Sequence, residues 1–378
     1  MAAEPGQGVP TVCQRRPAGG LTMLQPESEG DLARMIRSAN APMAIRGGGT
    51  RAPVEAGDLT TRRMTGITLY EPGALTLVAW AGTPMAEIDA ALEAERQRLA
   101  FEPWEAARVL GRSGTSTLGG CVATNASGPR RMVAGAARDA VIGVRFVDGE
   151  GQVVKNGGRV MKNVTGLDLA KLLCGSRGRL GVLTEVALKL LPGVAASVTL
   201  AAEGLTPEDA VAAMSVALST PFEVTGAAHD PAAGTFLRIE GGGDSVAYRA
   251  DRLAAALPGE WRQIDADPWP AIRDATRFAG VEGDLWRVSV RPSHAPALVA
   301  ALPGRWLMDW GGGLIWAETP PGTDLRAQMT CAGHATLVRA APETHATLGT
   351  LHPEPDAVKR LTGGIVSKFD PKALFAHS

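Results

Sequence analysis

The chain has 378 residues, 45% of them hydrophobic and 20% charged, with a net charge of −1. That composition is ordinary for a water-soluble chain of two or three domains with a sizeable core. The near-neutral balance and the 4% aromatic content exclude a basic nucleic-acid or anionic-membrane surface and a base-stacking platform, and no apolar run reaches the ~18 residues of a transmembrane helix.

In chain order, residues 1–20 read as a loose tail without a signal-peptide pattern. Ser28 then caps a helix that carries Leu32, Met35, Ile36 and Ala39 on one face. A short strand, Pro42–Arg46, runs into Gly47-Gly48-Gly49-Thr50-Arg51. A strand at 74–80 follows, and Thr83-Pro84 opens a helix over 85–98 as cap and first turn. Residues 111–128, GRSGTSTLGGCVATNASG, are small or polar with little periodicity. Strands at 141–147 and 152–155 form a hairpin around Asp148–Gly151, a short helix spans 168–174 before Gly175, and a strand at 182–190 ends before Pro192.

The composition shifts over 192–205, which suggests a boundary between domains at 1–195 and 196–378. Beyond it Thr206-Pro207 opens a helix, strands are expected at 221–227, 235–240, 284–290, 306–310, 314–317 and 334–339, and helices at 244–256, 293–302 and 323–331. This alternation with hairpins is that of an α+β, split-βαβ layer. No internal repeat is visible.

The chemistry concentrates in the glycines. GGGTRA at 47–52 fits the loose G-x-G-x-x-A dinucleotide pattern, but Pro53 and Gly57 follow at once where that pattern needs a helix. The chain has no Gly-Lys pair, which excludes a Walker A loop. A glycine loop leaving a strand instead suits an anion nest, with Thr50 adding a hydroxyl, although a plain turn fits this loop equally. The second stretch adds Gly119, Gly120 and Gly128 for backbone approach, and Ser116, Thr117, Thr124, Asn125 and Ser127 as donors. A third, Gly175-Ser-Arg-Gly-Arg-Leu-Gly181, precedes the 182–190 strand. Three such loops are enough to wrap one long diphosphate cofactor, without saying which.

The order IRGGGTR, STLGGCVATNASGPRR, then GAARDAVIGVRFVDGEGQVVKNGGRVMKNVTGLDLAKLLCGSRGRLGVLTEVALKLLP resembles the FAD-binding domain of the vanillyl-alcohol oxidase/PCMH superfamily. Within it, the stretch GGRVMKNVTGLDLAKLL is similar to the FAD-binding subunits of bacterial glycolate oxidases, as are DLWRVSV, MDWGGGLIW and AGHATLVR further on. The resemblance implies a PCMH-type FAD-binding domain of two α/β subdomains, followed by an α+β, ferredoxin-like cap domain. It implies that Arg46, Gly47, Gly48, Gly49 and Thr50 take the FAD pyrophosphate. Ser116, Thr117, Leu118, Gly119, Gly120, Thr124, Asn125 and Gly128 would run along the diphosphate and ribityl chain, with Gly181 and Val182 near the other end. IRGGGTR has no His or Cys for covalent attachment, so non-covalent FAD is expected, with Cys121 and Cys174 packing as small hydrophobes.

Lys368-Phe-Asp-Pro371 resembles the FDP motif of flavin-linked oxidases of this group, followed here by Lys372-Ala-Leu-Phe-Ala-His-Ser378 rather than the usual Asn-Pro-Gly-Arg segment. The H-x-G-D-G-N-x-H motif of related 2-hydroxy acid dehydrogenases is absent. His334 is the nearest candidate base, but a structural histidine at a strand start is the favoured reading; His229, His294, His345, His352 and His377 are expected in loops, turns or the tail. Arg130, Arg131, Arg159 and Lys162 either neutralise phosphate and flavin or form surface ion pairs, and Trp310 either faces the flavin or fills the core.

The resemblance thus implies an FAD-binding subunit of a cytoplasmic glycolate oxidase complex, with a larger glycolate-oxidising flavoprotein and an iron–sulfur protein as partners. Any association with the inner membrane would come through those partners. Four scattered cysteines, at 13, 121, 174 and 331, suit neither a zinc site nor an iron–sulfur cluster of the chain's own. The alternatives are a self-sufficient D-2-hydroxy acid dehydrogenase using His334, a non-catalytic FAD-binding assembly subunit, and an NADPH-dependent cell-wall reductase on the same fold, for which no separate NADPH site is visible.

Overall fold

The computed structural model describes residues 23–51, 57–158 and 167–375, so Cys13, Arg159, Lys162 and His377 lie outside the described residues. The first helix, Glu29–Ser38, begins where Ser28 accepts a hydrogen bond from the Asp31 N–H at 3.1 Å. It buries Leu32, Ala33 and Ile36 against a short parallel pair, β1 (Ile45–Arg46) and β2 (Leu59–Thr60). Glu29, on the same helix, accepts from Arg145 at 3.0 Å and from Thr184 at 2.5 Å, which ties this lobe to the next sheet.

That sheet runs in the order β3 (Ile67–Glu71), β4 (Thr76–Trp80), β8 (Val182–Pro192), β6 (Val141–Val147), β7 (Val153–Gly157), and β5 (Gln97–Leu99) pairs with the far end of β8. All its pairings are antiparallel. β8 is central, with Val186 opposite both Ala79 and Val144, so its residues are buried on both faces along most of its length.

After Pro192 the chain crosses into an eight-stranded antiparallel sheet. Its strands are β9 (Ala196–Ala202), β10 (Val224–Asp230), β11 (Gly234–Gly241), β12 (Arg262–Ile264), β13 (Asp284–Val290), β14 (Trp306–Asp309), β15 (Leu314–Thr319) and β16 (Gly333–Arg339). The spatial order is β12-β9-β11-β10-β14-β15-β13-β16. Each set of four strands, with two connecting helices, is a βαββαβ unit whose strands lie in the order 4-1-3-2. The two units meet edge to edge at His229 and Met308, and the order reads the same from either side. The expected split-βαβ layer is therefore present twice, and the repeat that sequence reading misses is one of topology. One face of this sheet buries Leu200, Leu237 and Ile239 under its helices. The other sends Leu285, Leu307, Trp310, Leu314 and Trp316 into the core of the first sheet.

Several expectations need correction. The strand expected from Pro42 begins only at Ile45. The Thr83 hydroxyl does not cap the following helix, because it accepts from the Gly66 N–H at 3.0 Å and donates to the Gly66 carbonyl at 3.2 Å; Pro84 stands at the cap of Met85–Ala94. Residues 97–98 are strand rather than helix. The unperiodic 111–128 segment contains a helix, Leu118–Ala123. Pro192 is the last residue of β8, facing Gln97 at its edge, not a stop before it. His229 is not solvated: it lies in β10, 2% exposed, with Nδ1 2.8 Å from the Thr235 hydroxyl. His345 and His352 are also engaged, with the Thr350 hydroxyl at 3.2 Å and the Ala335 N–H at 3.2 Å.

A buried ion cluster fastens the two sheets. Arg130 donates to Glu240 of β11 at 2.8 Å and lies 3.1 Å from Glu102, Arg238 of β11 reaches Glu102 at 2.9 Å, and Arg98 reaches Glu240 at 3.1 Å. Burial alone raises the Glu240 pKa, but the hydrogen bonds from Arg130 and the charges of Arg238, Arg130 and Arg98 outweigh it and hold the carboxyl at about 2. Arg130 is thus ion-paired, though within the interface of the two sheets and not on the surface as expected. Replacing Arg130 with Met leaves the Glu240 and Glu102 carboxylates buried and short of a partner, which costs about 3–5 kcal/mol of stability. Replacing Arg63, whose pair with Glu27 is exposed, costs no more than about 1 kcal/mol. The Glu240 contribution is complete above the ordinary value near 4.5 and is lost as pH falls toward 2. The difference between wild-type and Arg130→Met melting temperatures should therefore narrow across that window, and calorimetric scans measure it.

Candidate functional site

The glycine stretches converge on one cleft. It encloses about 790 Å³, open solvent at its mouth included, and is lined by residues 45–51 of the first loop, by Thr117, Gly119, Gly120, Ala123 and Thr124 of the second, and by Arg177, Gly178 and Gly181–Leu183 of the third, with Thr61.

Contact between two of the loops builds the cleft. The Thr117 side chain caps the helix Leu118–Ala123 by accepting from Gly120 N–H at 3.4 Å, and it accepts from Gly48 N–H at the same distance. A Cβ on Gly48 would overlap the Thr115 carbonyl, and one on Gly47 would stand 2.5 Å from the Thr117 hydroxyl oxygen. Gly48 is therefore small so that one backbone can lie on another, not only so that a ligand can approach. Gly120 differs: a Cβ there meets only the Thr117 hydroxyl oxygen at 3.3 Å and Arg51 Cδ at 3.9 Å. It faces open cleft.

Gly49 has φ +81°, and its N–H and that of Thr50 find no acceptor among the described residues. Two backbone donors left over in a glycine turn, beside Arg46, Arg51 and Arg177, fit a diphosphate. The small surfaces of Gly119, Gly120 and Ala123 fit an extended molecule lying along the helix. The cleft thus passes a test of fit for FAD on its own geometry. Arg46, Gly47, Gly48, Gly49, Thr50, Thr117, Gly119, Gly120, Thr124, Gly181 and Val182 all line it. Ser116 sits just behind, taking a hydrogen bond from Arg51 at 3.3 Å. Leu118 turns into the core, and Gly128 packs against Glu102 while its carbonyl accepts from Trp310 Nε1 at 3.0 Å; neither lines the cleft. Cys121 is fully buried, with its sulfur 3.7 Å from the Ser116 hydroxyl. The Cys174 thiol is pushed up to about 12 by burial.

Arg51, Thr124 and Arg177 also line a second chamber that continues the cleft toward the eight-stranded sheet. Its other walls are Trp104, Asn125, Arg287 of β13, residues 336–338 of β16, and Thr350. No His, Asp, Glu, Lys, Cys or Tyr is among the described lining residues. His334 stands exposed at the start of β16, with its ring edge-on to His352 at 5.3 Å, and lines neither space. Trp310 belongs to the core: it is 5% exposed and stacked between Arg131 at 4.6 Å and Arg287 at 4.9 Å. Sequence reading assigns no role to Arg51, Arg177 or Arg287. The first two carried a signal, since each sits within or beside a glycine run, where a basic side chain and bare backbone together suit phosphate. Arg287, inside a strand, carried none.

Comparison with known proteins agrees with this geometry. Residues 21–157 match the family described as FAD binding domain. The chain is 36% identical over 311 residues to glycolate oxidase subunit GlcE of Escherichia coli (strain K12), covering 80% of this chain and 84% of that protein. It is 31% identical over 211 residues to a D-lactate dehydrogenase of Archaeoglobus fulgidus, covering 53% of this chain and 46% of that enzyme. It is 30% identical over 179 residues to glycolate oxidase subunit GlcD of Bacillus subtilis (strain 168), covering 45% and 37%. The fold is that of an alkyldihydroxyacetonephosphate synthase, with a TM-score of 0.66 at 16% identity over 93% of this chain and 76% of that one.

Gly48 and Gly120 should fail differently when changed. Gly48→Val breaks the contact between loops, lowering both cofactor content and melting temperature. Gly120→Val places two methyl groups in the cleft, removing bound flavin while leaving the melting temperature of the flavin-free chain within a few degrees of wild type. Flavin absorbance per chain and calorimetry measure the two effects, and full flavin occupancy in Gly120→Val would remove the cofactor from this cleft.

Proposed function

Since the chain belongs to the family of glycolate oxidase subunit GlcE and carries a PCMH-type FAD-binding domain, we propose that it is the FAD-binding subunit of a glycolate oxidase complex. In this reading it holds FAD non-covalently along the three-loop cleft, and that flavin is structural or an electron relay rather than the site where glycolate is oxidised. FAD bound there supplies a two-electron acceptor. Gly49 and Thr50 would hold its diphosphate through backbone N–H groups with Arg46 beside them. Thr117 and Gly120 would lie along its length, and Gly181 and Val182 would border the far end.

One observation carries the relay reading. Oxidising a 2-hydroxy acid needs a group to take the hydroxyl proton, and the described walls of the chamber beyond the cleft offer none. The proton acceptor then belongs to a partner, which we infer to be a larger glycolate-oxidising flavoprotein, with an iron–sulfur protein as a further subunit of the same hetero-oligomer. The complex converts glycolate to glyoxylate in the cytoplasm. Among the described residues no helix is long and apolar enough to cross a membrane, so contact with the inner membrane would run through partners. A self-sufficient dehydrogenase using His334 is disfavoured by the placement of that ring outside both spaces.

The chain purified alone should show an oxidised-flavin absorption band that persists under anaerobic glycolate or D-lactate, and that bleaches once the larger subunit is added. Bleaching in the isolated chain would overturn the relay reading. Absence of a flavin band from both the chain and the reconstituted complex would overturn the cofactor assignment itself.

A further inference from the structure

The helix Asp356–Phe369 is held by its own chain along one narrow line. None of its 14 residues is buried. Thr362, Val366 and Phe369 are half-buried, and Val366 and Phe369 pack on the core of the first sheet. Beside them Val358, Leu361 and Ile365, spaced i, i+3, i+7, form a second apolar stripe that is 45%, 71% and 39% exposed. Gly363 and Gly364 stand mid-helix with open space where a Cβ would be, and each weakens the helix relative to alanine. A helix of this length is marginal without packing, so the outer stripe calls for a cover that the described residues do not supply.

The charges at the ends of the stripe point to its occupant. Glu354, just before the helix, is exposed and accepts from the Thr362 hydroxyl at 3.3 Å. Lys368 is exposed at the other end. Asp356, Lys359 and Arg360 fall on the opposite side of the helix by its spacing. At the rise of an α-helix, Lys368 lies about 10 Å along the axis from a midpoint between Leu361 and Thr362, and Glu354 lies about 11 Å away in the other direction. Two such helices placed antiparallel about that midpoint set Val358 against Ile365 of the second copy, Leu361 beside its counterpart, and Glu354 against Lys368 at both ends. In the parallel arrangement Lys368 meets Lys368 and Glu354 meets Glu354, which is repulsive. The face is thus complementary to itself in one orientation, as an isologous two-fold contact requires.

We infer that this helix face pairs antiparallel with the same face of a second copy of the chain. The contact is small: three apolar side chains from each chain fall well short of the ~800 Å² per partner of a standard interface, so the dimer is weak and reversible. The inference goes beyond the proposed function and does not rest on it, because it concerns this chain without other subunits, with or without flavin. An assembly built on the contact carries two copies of the three-loop cleft.

The test is sedimentation velocity of the full chain over concentrations from about 1 to about 500 µM, a span that covers weak dimers. Wild type should pass from monomer to dimer within that range. Leu361→Glu should weaken the dimer at least about tenfold, because it sets two carboxylates at the centre of the contact, with the melting temperature unchanged since this side chain is exposed. Lys368→Glu should weaken it about fivefold by facing Glu354 of the second copy, and the exchange Glu354→Lys with Lys368→Glu should restore wild-type association. A wild type that stays monomeric throughout overturns the inference, whether or not a larger subunit then covers the stripe. A dimer that Leu361→Glu leaves intact lies elsewhere on the surface and overturns it as well. Failure of the charge exchange to restore association overturns the antiparallel pairing.

Discussion

The architecture of the site depends on one close approach of backbone to backbone. Gly48 lies against the Thr115 carbonyl at a separation that no side chain permits. The Thr117 side chain serves both partners there, as cap of the helix Leu118–Ala123 and as acceptor for the Gly48 N–H. With these two loops fixed to each other, the cleft has a floor, and the turn at Gly49 leaves its N–H donors without an acceptor among the described residues. A hydroxyl at 117 and a hydrogen at 48 therefore fix the position of the first glycine loop, where we propose that a diphosphate sits, before any side chain that lines the cleft is considered.

The second constraint is electrostatic. The boundary between the sheets contains two populations of arginine with opposite fates. Arg98, Arg130 and Arg238 are paired with Glu102 and Glu240 and act as a fastening, while Arg51, Arg177 and Arg287 line a chamber whose described walls carry no acid. Both populations are steadied by tryptophan: Arg238 lies over Trp269 at 4.6 Å, and Arg287 over Trp310. Trp310 links the two devices, since its indole N–H holds the Gly128 carbonyl, two residues before Arg130, while its ring face carries Arg287.

Much of this was legible in the sequence, and what was missed follows a pattern. Strand β13 is found over the residues expected, because DLWRVSV is long, β-branched and flanked by turns. The helix after Thr206-Pro207 has its cap where the rule places it, with the Thr206 hydroxyl accepting from Asp209 N–H at 3.1 Å. The helix at 118–123 was invisible because Gly119 and Gly120 carry almost no helix propensity; it forms because Thr117 caps it and the neighbouring loop holds it. His229 was misplaced because β10 extends through Asp230, beyond the apolar run that suggested it. Arg287 could not be recognised at all: its role depends on two tryptophans and two loops that meet it only in the folded chain. The doubled βαββαβ order was hidden for the same reason, since hydrogen-bonding order is a property of the sheet and not of any segment.

The C-terminal segment shows how a motif can serve the site from a distance. Phe369 packs on Phe146 of β6, with ring centroids 5.9 Å apart, and its carbonyl accepts from Gly149 N–H at 2.7 Å. Asp370, 3% exposed, accepts from the Leu374 and Phe375 N–H groups at 2.9 and 2.8 Å, folding the chain back on itself. The Leu374 carbonyl then accepts from Met43 N–H at 2.7 Å, and both Leu374 and Phe375 fill the small core beneath β1. Arg46 and the three glycines follow Met43 within a few residues. The aspartate of Phe-Asp-Pro thus touches no part of the cleft, yet the turn it holds closes the core on which the first glycine loop stands. An ordering effect of this kind acts on the loop's position and not on its chemistry, which is why a buried carboxylate with two backbone donors suffices for it.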